Sequence, residues 1–401
     1  MKILIGWIAQ FVGHHGGMDK VFANFANEMT RRGHQVTMVY CTEKKEKSCF
    51  SIMPTVKVVN LVDLKKDHKY ESYKKTFGFK MKREFLRIID NEKMKNMLTD
   101  RLEKQIGCAV EILFKRENPD IIITLDHKTT AIFQLDKGAN QIPMIAMSHF
   151  DAESILKWSS SIEKEAIKNC DVLQTLMPHD IIVFQTVFPA LPMKWIPNIV
   201  PQYDIGEATQ RLPVIIDVAR LDKKQKRQHL LLEAFAKISK QFPRWKVELW
   251  GEEQNGETYT RKLQEIIQKH HLENQVKLCG NTDDVLSVYR RASILAFPSA
   301  YEGFPLAMTE AMSAGLPVVA YRSCPAVNEL VRDGETGLLV DDGVDALAEG
   351  LKKLMEDQEL RERMGRAAHE SMKEFAPEKI WDQWEALMQA VIAKHKAKME
   401  R

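Results

Sequence analysis

Two carboxylates stand with seven residues between them in the stretch FPSAYEGFPLAMTEAMSAGLPVVA, where Glu302 and Glu310 bracket a Gly-Phe-Pro corner. Upstream, SILAFPS reads as a short buried strand ending at Pro298, and AYEGF is the loop beyond its carboxyl end. Pro305 suits the first position of a helix that Gly315 closes. A helix start offers backbone N–H groups without partners and a partial positive charge, the natural seat of a phosphate. Gly303 permits close backbone approach there. Glu310 lies about 7 Å further along the helix axis, in an exposed-facing second turn, while Glu302 stays on the loop. Carboxylates are poor phosphate ligands but good acceptors for hydroxyl groups, so this pair fits a sugar and a ribose on either side of a diphosphate.

Other residues sit where strands end. Gly16 and Gly17 form a loop ahead of a helix, able to close over a diphosphate or an acceptor, although they are not part of a G-x-G-x-x-G fingerprint. His149 ends the strand MIAMSH, where a side chain would enter a cleft. Asp126 and His127, with Lys128, follow DIIITL at the equivalent edge and are candidate acceptor contacts. TDDV at 282–285 resembles a metal-binding DxD, but it follows a strand and opens a helix, so capping by Thr282 or Asp283 is the expectation and no metal ligand is assigned.

The elements that must hold these residues repeat one grammar. KILIGWIA, QVTMVY, VKVVNL, DIIITL, MIAMSHF, DVLQTLM and MKWIPNI are short apolar strands. After PNIVPQYDIGEATQRLP the pattern restarts with VIIDVARL, WKVELWG, QVKLCG, ASILAFPS and LPVVAY. MDKVFANFANEMTRRG and QHLLLEAFAKISKQFP are amphipathic helices between such strands. Strands alternating with helices imply doubly wound parallel sheets covered on both faces, and the restart implies two α/β Rossmann-like domains with a ligand cleft between them. We place the domains at residues 1–197 and 198–379. A chain of 401 residues suits two cores of roughly 200 residues.

Composition narrows the classes further. No apolar run approaches the roughly 20 residues of a membrane span. MKILIGWIAQ lacks the cleavage site of a secretory signal, so a cytoplasmic location is expected. Cys41, Cys49, Cys108, Cys170, Cys279 and Cys324 are scattered, without a CxxC pair, which argues against a disulfide framework or a zinc knuckle. Net charge is +3, but residues 1–200 carry 29 basic and 23 acidic residues against 29 and 32 in the remainder. Residues 65–104 hold 13 basic and 7 acidic residues, interleaved with Tyr70, Tyr73, Phe77, Phe79, Phe85 and Leu86. Such a stretch suits an anionic membrane surface, a nucleic acid, or a solvated helix face. A nucleic-acid binder would show a steep salt dependence, and the Glu302/Glu310 loop argues against it.

Taken together, EGFPLAMTE resembles the E-x7-E signature of retaining glycosyltransferases of family 4, with the GT-B fold. GHHGGMDKVFANFANEMTRRGHQVTMVY, SHF, WIPNIV, VARLDKKQKRQHLLLEAF and PAVNELVRDGETGLLV resemble that family's other motifs in order. The resemblance implies that Glu310 accepts from the ribose hydroxyls and Glu302 from the donor sugar. It further implies that Phe304, Leu306 and Ala307 offer backbone N–H groups, and that Arg220 and Lys226 neutralise the diphosphate. Lys223 and Lys224 are neighbouring alternatives, since Arg220 to Lys226 is one residue longer than the common spacing. His149 would bind the donor sugar, Gly280 and its neighbours the base, and the helix of residues 380–401 would pack back on the first domain. The activity implied is retaining, metal-independent transfer of a hexose or N-acetylhexosamine. The donor would be a nucleoside diphosphate sugar, expected to be a UDP-sugar, and no other cofactor is needed. The acceptor would be a glycan or glycolipid of bacterial surface polysaccharide synthesis; peripheral contact to an anionic membrane is expected from the basic stretch of residues 65–104, not from the resemblance. A nucleotide-sugar epimerase is the alternative on the same fold.

Overall fold

The structure, a computed structural model, describes residues 1–8, 16–43, 48–65, 77–134, 142–205, 211–253, 256 and 258–400. Two compact units form, one of Met1–Pro197 with Trp381–Arg401, the other of Asn198–Ile380.

In the first unit seven strands make one parallel sheet: β1 (Lys2–Trp7), β2 (Gln35–Tyr40), β3 (Lys57–Asn60), β4 (Ile121–Thr124), β5 (Met144–Met147), β6 (Val172–Thr175) and β7 (Met193–Trp195), in the order β3-β2-β1-β4-β5-β6-β7. Ile3 pairs with Val36 on one side and Ile121 on the other. All four residues of β4 are buried, as expected where helices cover both faces. Helix α1 (Gly17–Arg31) ends in a Schellman turn. Gly33, at φ +85°, donates to Thr30 O and His34 donates to Met29 O, both at 3.0 Å. The helix Pro377–Met399 sends Trp381 and Trp384 edge-on against Phe25 of α1. On the same face Arg32 pairs with Asp382 and Glu385 at 2.7 and 3.0 Å.

Three further helices of this unit matter below: α2 (Phe77–Ile89), α3 (Asn91–Glu117) and α4 (His127–Gln134). The basic stretch of residues 65–104 is therefore mostly α2 and the first half of α3. Tyr70, Tyr73, Lys74 and Lys75 lie outside the described residues. Phe79, expected as a membrane-facing aromatic, instead lies half-buried with the Arg101 guanidinium of α3 3.8 Å from its ring centroid.

The second unit holds six parallel strands: β8 (Val214–Val218), β9 (Lys246–Trp250), β10 (Val276–Gly280), β11 (Ile294–Phe297), β12 (Val318–Tyr321) and β13 (Gly337–Val340), in the order β10-β9-β8-β11-β12-β13. The core between sheet and helices is built on Ile215, Leu231, Phe235, Val247, Leu263, Val319 and Leu351. Strand β13 is absent from the sequence expectations. Its four residues follow the Gly334 turn directly and are too short to show a period. The strand order reverses between β8 and β11, which places the loops after these two strands side by side at the switch point where open α/β sheets bind ligands.

Candidate active site

Both expected glutamates emerge at that switch point. The loop after β11 carries Glu302, 7% exposed, and the short helix Leu306–Ser313 carries Glu310, 5% exposed. Glu310 is thus not on an exposed-facing turn: apart from Leu306 and Ala307, every residue of that helix is buried. Its charge, after burial, helps to push the Tyr203 hydroxyl up to about 12, and Tyr289 likewise rises well above the ordinary phenol value. Pro305 is the N-cap rather than the first helical residue. The helical ladder starts with Thr309 N–H donating to Pro305 O at 3.0 Å, so the amides of Leu306 and Ala307 stand ahead of it at the helix start. Phe304 packs edge-on against Phe375, fixing the Gly303-Phe304-Pro305 corner.

The loop after β8 supplies the cations. Asp222 Oδ1 accepts from the backbone of Lys224 and Gln225, both at 2.8 Å, and Asp222 O accepts from Lys226 and Arg227, folding the loop into a turn. That turn sends Lys226 Nζ to within 2.5 Å of Glu302 Oε1 and leaves Lys223 and Lys224 outside. Arg220 donates to Gln225 Oε1 at 2.5 Å and keeps 45% of its side chain exposed.

Sequence reasoning missed the residue that joins these groups. Gln225, 7% exposed, holds Arg220 through its carbonyl oxygen and donates through Nε2 to Tyr301 O at 3.1 Å and Glu302 Oε2 at 3.5 Å. Its own carbonyl takes Ala300 N–H at 2.7 Å. The one-residue excess between Arg220 and Lys226 was the available signal. Arg227 was missed as well: at φ +54° it donates to Pro298 O and Ser299 O, clamping the end of β11. Beneath Lys226, Asp217 of β8 is 2% exposed and its carboxyl is raised to about 7, first by burial and then by the Glu302 charge, with Lys226 pulling the other way.

Gly280 ends β10 at φ +71°, bridged to Gly251, whose amide donates to Gly280 O at 2.7 Å. Gly251 passes so close under Ala219 O that an added Cβ would lie 2.1 Å from it. The next residues, TDDV at 282–285, open a helix. The helix Val285–Arg291 is capped by Asp284, not by Thr282 or Asp283, because only Asp284 reaches the Ser287 amide; Thr282 Oγ1 takes the Asp284 N–H instead. Among the described residues no three His, Cys, Asp or Glu side chains cluster as metal ligands.

The first unit places the remaining candidates at the carboxyl edge of its own sheet. Gly16 is the N-cap of α1 and Gly17 its first residue. The Gly16 amide donates to Asp19 Oδ2 at 3.0 Å, and Asp19 is itself buried, its carboxyl raised to about 7 by desolvation. His149, 9% exposed, follows β5. Burial lowers its ring to about 4 against the pull of Asp126, and Nε2 has no hydrogen-bond partner among the described residues. Asp126 has structural partners on both oxygens, Trp7 Nε1 at 3.2 Å and the Thr129 amide at 2.7 Å, as the cap of α4. His127 faces Glu163 at 3.6 Å. The bonds that hold these two side chains are within the fold.

Residues 204–371 match the family described as Glycosyl transferases group 1. Over 201 residues the chain is 34% identical to an exopolysaccharide phosphotransferase of Streptomyces coelicolor, a match covering 50% of this chain but only 21% of that protein's length. It is 23% identical over 392 residues to an uncharacterized glycosyltransferase of Haemophilus influenzae, covering 96% of this chain and 99% of the other. The pneumococcal O-GlcNAc transferase GtfA, solved with UDP and GlcNAc, superposes with a TM-score of 0.75 at 14% identity, over 98% of this chain and 99% of that one. The fold is GT-B, two Rossmann-like parallel-sheet domains.

Proposed function

We propose, from the match of residues 204–371 to the family described as Glycosyl transferases group 1, that the protein is a retaining, metal-independent glycosyltransferase that uses a nucleoside diphosphate sugar. The observation that carries this reading is the pairing of buried Glu302 and Glu310 around a helix start, with Arg220 and Lys226 brought to the same edge by the neighbouring loop. The amides of Phe304, Leu306 and Ala307 and the two cations take the diphosphate. Glu310 accepts from the ribose hydroxyls, Glu302 from a hydroxyl of the sugar, and the Gly280 turn lies against the base. Held by Lys226 and Gln225, Glu302 is placed to orient a hydroxyl rather than to attack carbon. The anomeric carbon's bond to the diphosphate breaks, its bond to the acceptor oxygen forms on the same face, and the acceptor proton passes to the departing phosphate oxygen. Arginine, lysine and helix start stabilise the charge that develops there, so no metal ion is required.

UDP-hexose or UDP-N-acetylhexosamine is the donor we assign, in keeping with the UDP and GlcNAc bound in the pneumococcal transferase that shares the fold. The first unit serves the acceptor, a glycan or glycolipid of surface polysaccharide synthesis, with the Gly16-Gly17 helix start at its edge, and the neutral His149 ring is assigned to a hydroxyl of the donor sugar. Asp126 and His127 support that edge.

Thermal shift with UDP, GDP and ADP identifies the base, with UDP expected to stabilise most. UDP release from a UDP-sugar should then rise when glycan or lipid-linked acceptors are added. Interconversion of the UDP-sugar with no acceptor would mark an epimerase and overturn the reading.

A further inference from the structure

Helix α2 is turned inside out. In an ordinary surface helix the apolar stripe faces the core. Here Phe79, Arg83 and Leu86, spaced i, i+4, i+7, are half-buried together with Glu84, and α2 packs on α3. The stronger apolar stripe, Met81, Phe85 and Ile88 at the same spacing with Ile89 beside it, points outward at 59, 62, 82 and 65% exposure. Four of the large exposed hydrophobic side chains of the described chain thus lie on one face of one helix, where scattered single exposures are the norm.

The charges around this face identify what covers it. Lys80, Lys82, Arg83 and Arg87 stand against a single acidic residue, Glu84, in the 13 residues of α2. Glu84 is already engaged by Arg83 at 2.6 Å and Arg87 at 3.0 Å. Lys80 and Lys82 are exposed beside the apolar stripe. A protein partner would have to match an apolar stripe and a cationic flank at fixed positions, whereas an anionic lipid surface supplies both at once: headgroups for the cations and acyl chains for the stripe. No described helix is long and apolar enough to cross a membrane, so the contact lies in the interface plane.

We propose that the outward face of α2, through Met81, Phe85, Ile88 and Ile89 flanked by Lys80, Lys82 and Arg87, is a docking surface for an anionic lipid membrane. The proposal does not depend on the enzymatic reading. Phe79, which sequence alone put at the interface, is excluded by its packing under Arg101.

Flotation of the full-length protein with vesicles of phosphatidylglycerol and phosphatidylcholine, against phosphatidylcholine alone, tests it. The expected result is binding to the anionic vesicles at low salt that weakens as salt is added. Met81→Ser/Phe85→Ser/Ile88→Ser should abolish binding, and Lys80→Ser/Lys82→Ser should weaken it about tenfold or more, on the scale of several-fold per cation. Circular dichroism and melting temperature must match the parent protein. A second, milder variant, Phe85→Ser alone, should still bind at least about tenfold more weakly. Failure to bind anionic vesicles, or undiminished binding by folded variants, overturns the proposal. Concentration-dependent dimerisation that the triple variant abolishes, without vesicle binding, would assign the face to a second copy of the chain instead.

Discussion

Lys226 Nζ and Glu302 Oε1 stand 2.5 Å apart, an ion pair that links the loops following two adjacent strands, β8 and β11, with side chains 16% and 8% exposed. Removing one member strands the other in a poorly hydrated place. Lys226→Met should therefore destabilise the protein by about 3 kcal/mol, whereas Lys226→Met/Glu302→Leu should recover much of that loss. Neither variant should transfer sugar. Urea denaturation alongside UDP-release assays reads both effects; a full-activity double variant would detach the pair from the chemistry.

Gln225→Ala removes the bridge from Arg220 to the Glu302 loop and leaves the Tyr301 carbonyl and the Glu302 carboxylate without that donor. The expected cost is about 1–3 kcal/mol of stability, with a loss of transfer rate of tenfold or more because Arg220 is no longer held. A stable, fully active Gln225→Ala would show that the Asp222 turn alone shapes the loop.

His149 makes a pH prediction with a definite sign. Its folded pKa, about 4, lies below the unfolded value near 6.5, so the unfolded chain binds the proton first. The neutral ring's contribution is fully present above pH 6.5 and is lost as pH falls towards 4, by roughly 2–4 kcal/mol. The stability difference between the parent and His149→Gln, followed by chemical denaturation from pH 8 to 4, should change across that window. A difference independent of pH would place the ring in water.

Asp217 has the opposite sign. Raised to about 7 from 3.8, its carboxyl keeps its proton longer in the folded state, so its cost appears as pH rises from about 4 and is complete above 7. Asp217→Asn should stabilise the protein progressively over that range, and by several kcal/mol above pH 7. No gain at pH 8 would mean that Lys226 fully compensates the buried charge.

Much of this architecture is legible in the sequence because parallel strands covered on both faces are near-continuous apolar runs. ILAF and VVAY are as plain in the chain as in the sheet. Strand β13 escaped because four residues behind a glycine turn carry no period. Glu302 and Glu310 were readable from the Gly-Phe-Pro corner between them, but their burial was not. Tyr203 and Tyr289, whose hydroxyls feel the Glu310 charge, lie elsewhere in the sequence and carry no local mark. Gln225 is a polar residue in a run of lysines, and only the turn made by Asp222 brings its amide inward. The direction of α2 was hidden for a related reason: Phe79 and Phe85 are equally aromatic, and the packing on α3 decides which one faces out.

The central claim, that Glu302 and Glu310 frame a nucleotide-sugar site, is tested most directly by calorimetric titration of UDP into the parent protein and into Glu310→Gln, an isosteric change that keeps the buried volume. The account predicts saturable one-site binding to the parent and at least tenfold weaker binding to the variant, about 1.4 kcal/mol or more, at equal melting temperature. No saturable binding to the parent, or the same dissociation constant in a folded Glu310→Gln, would contradict it.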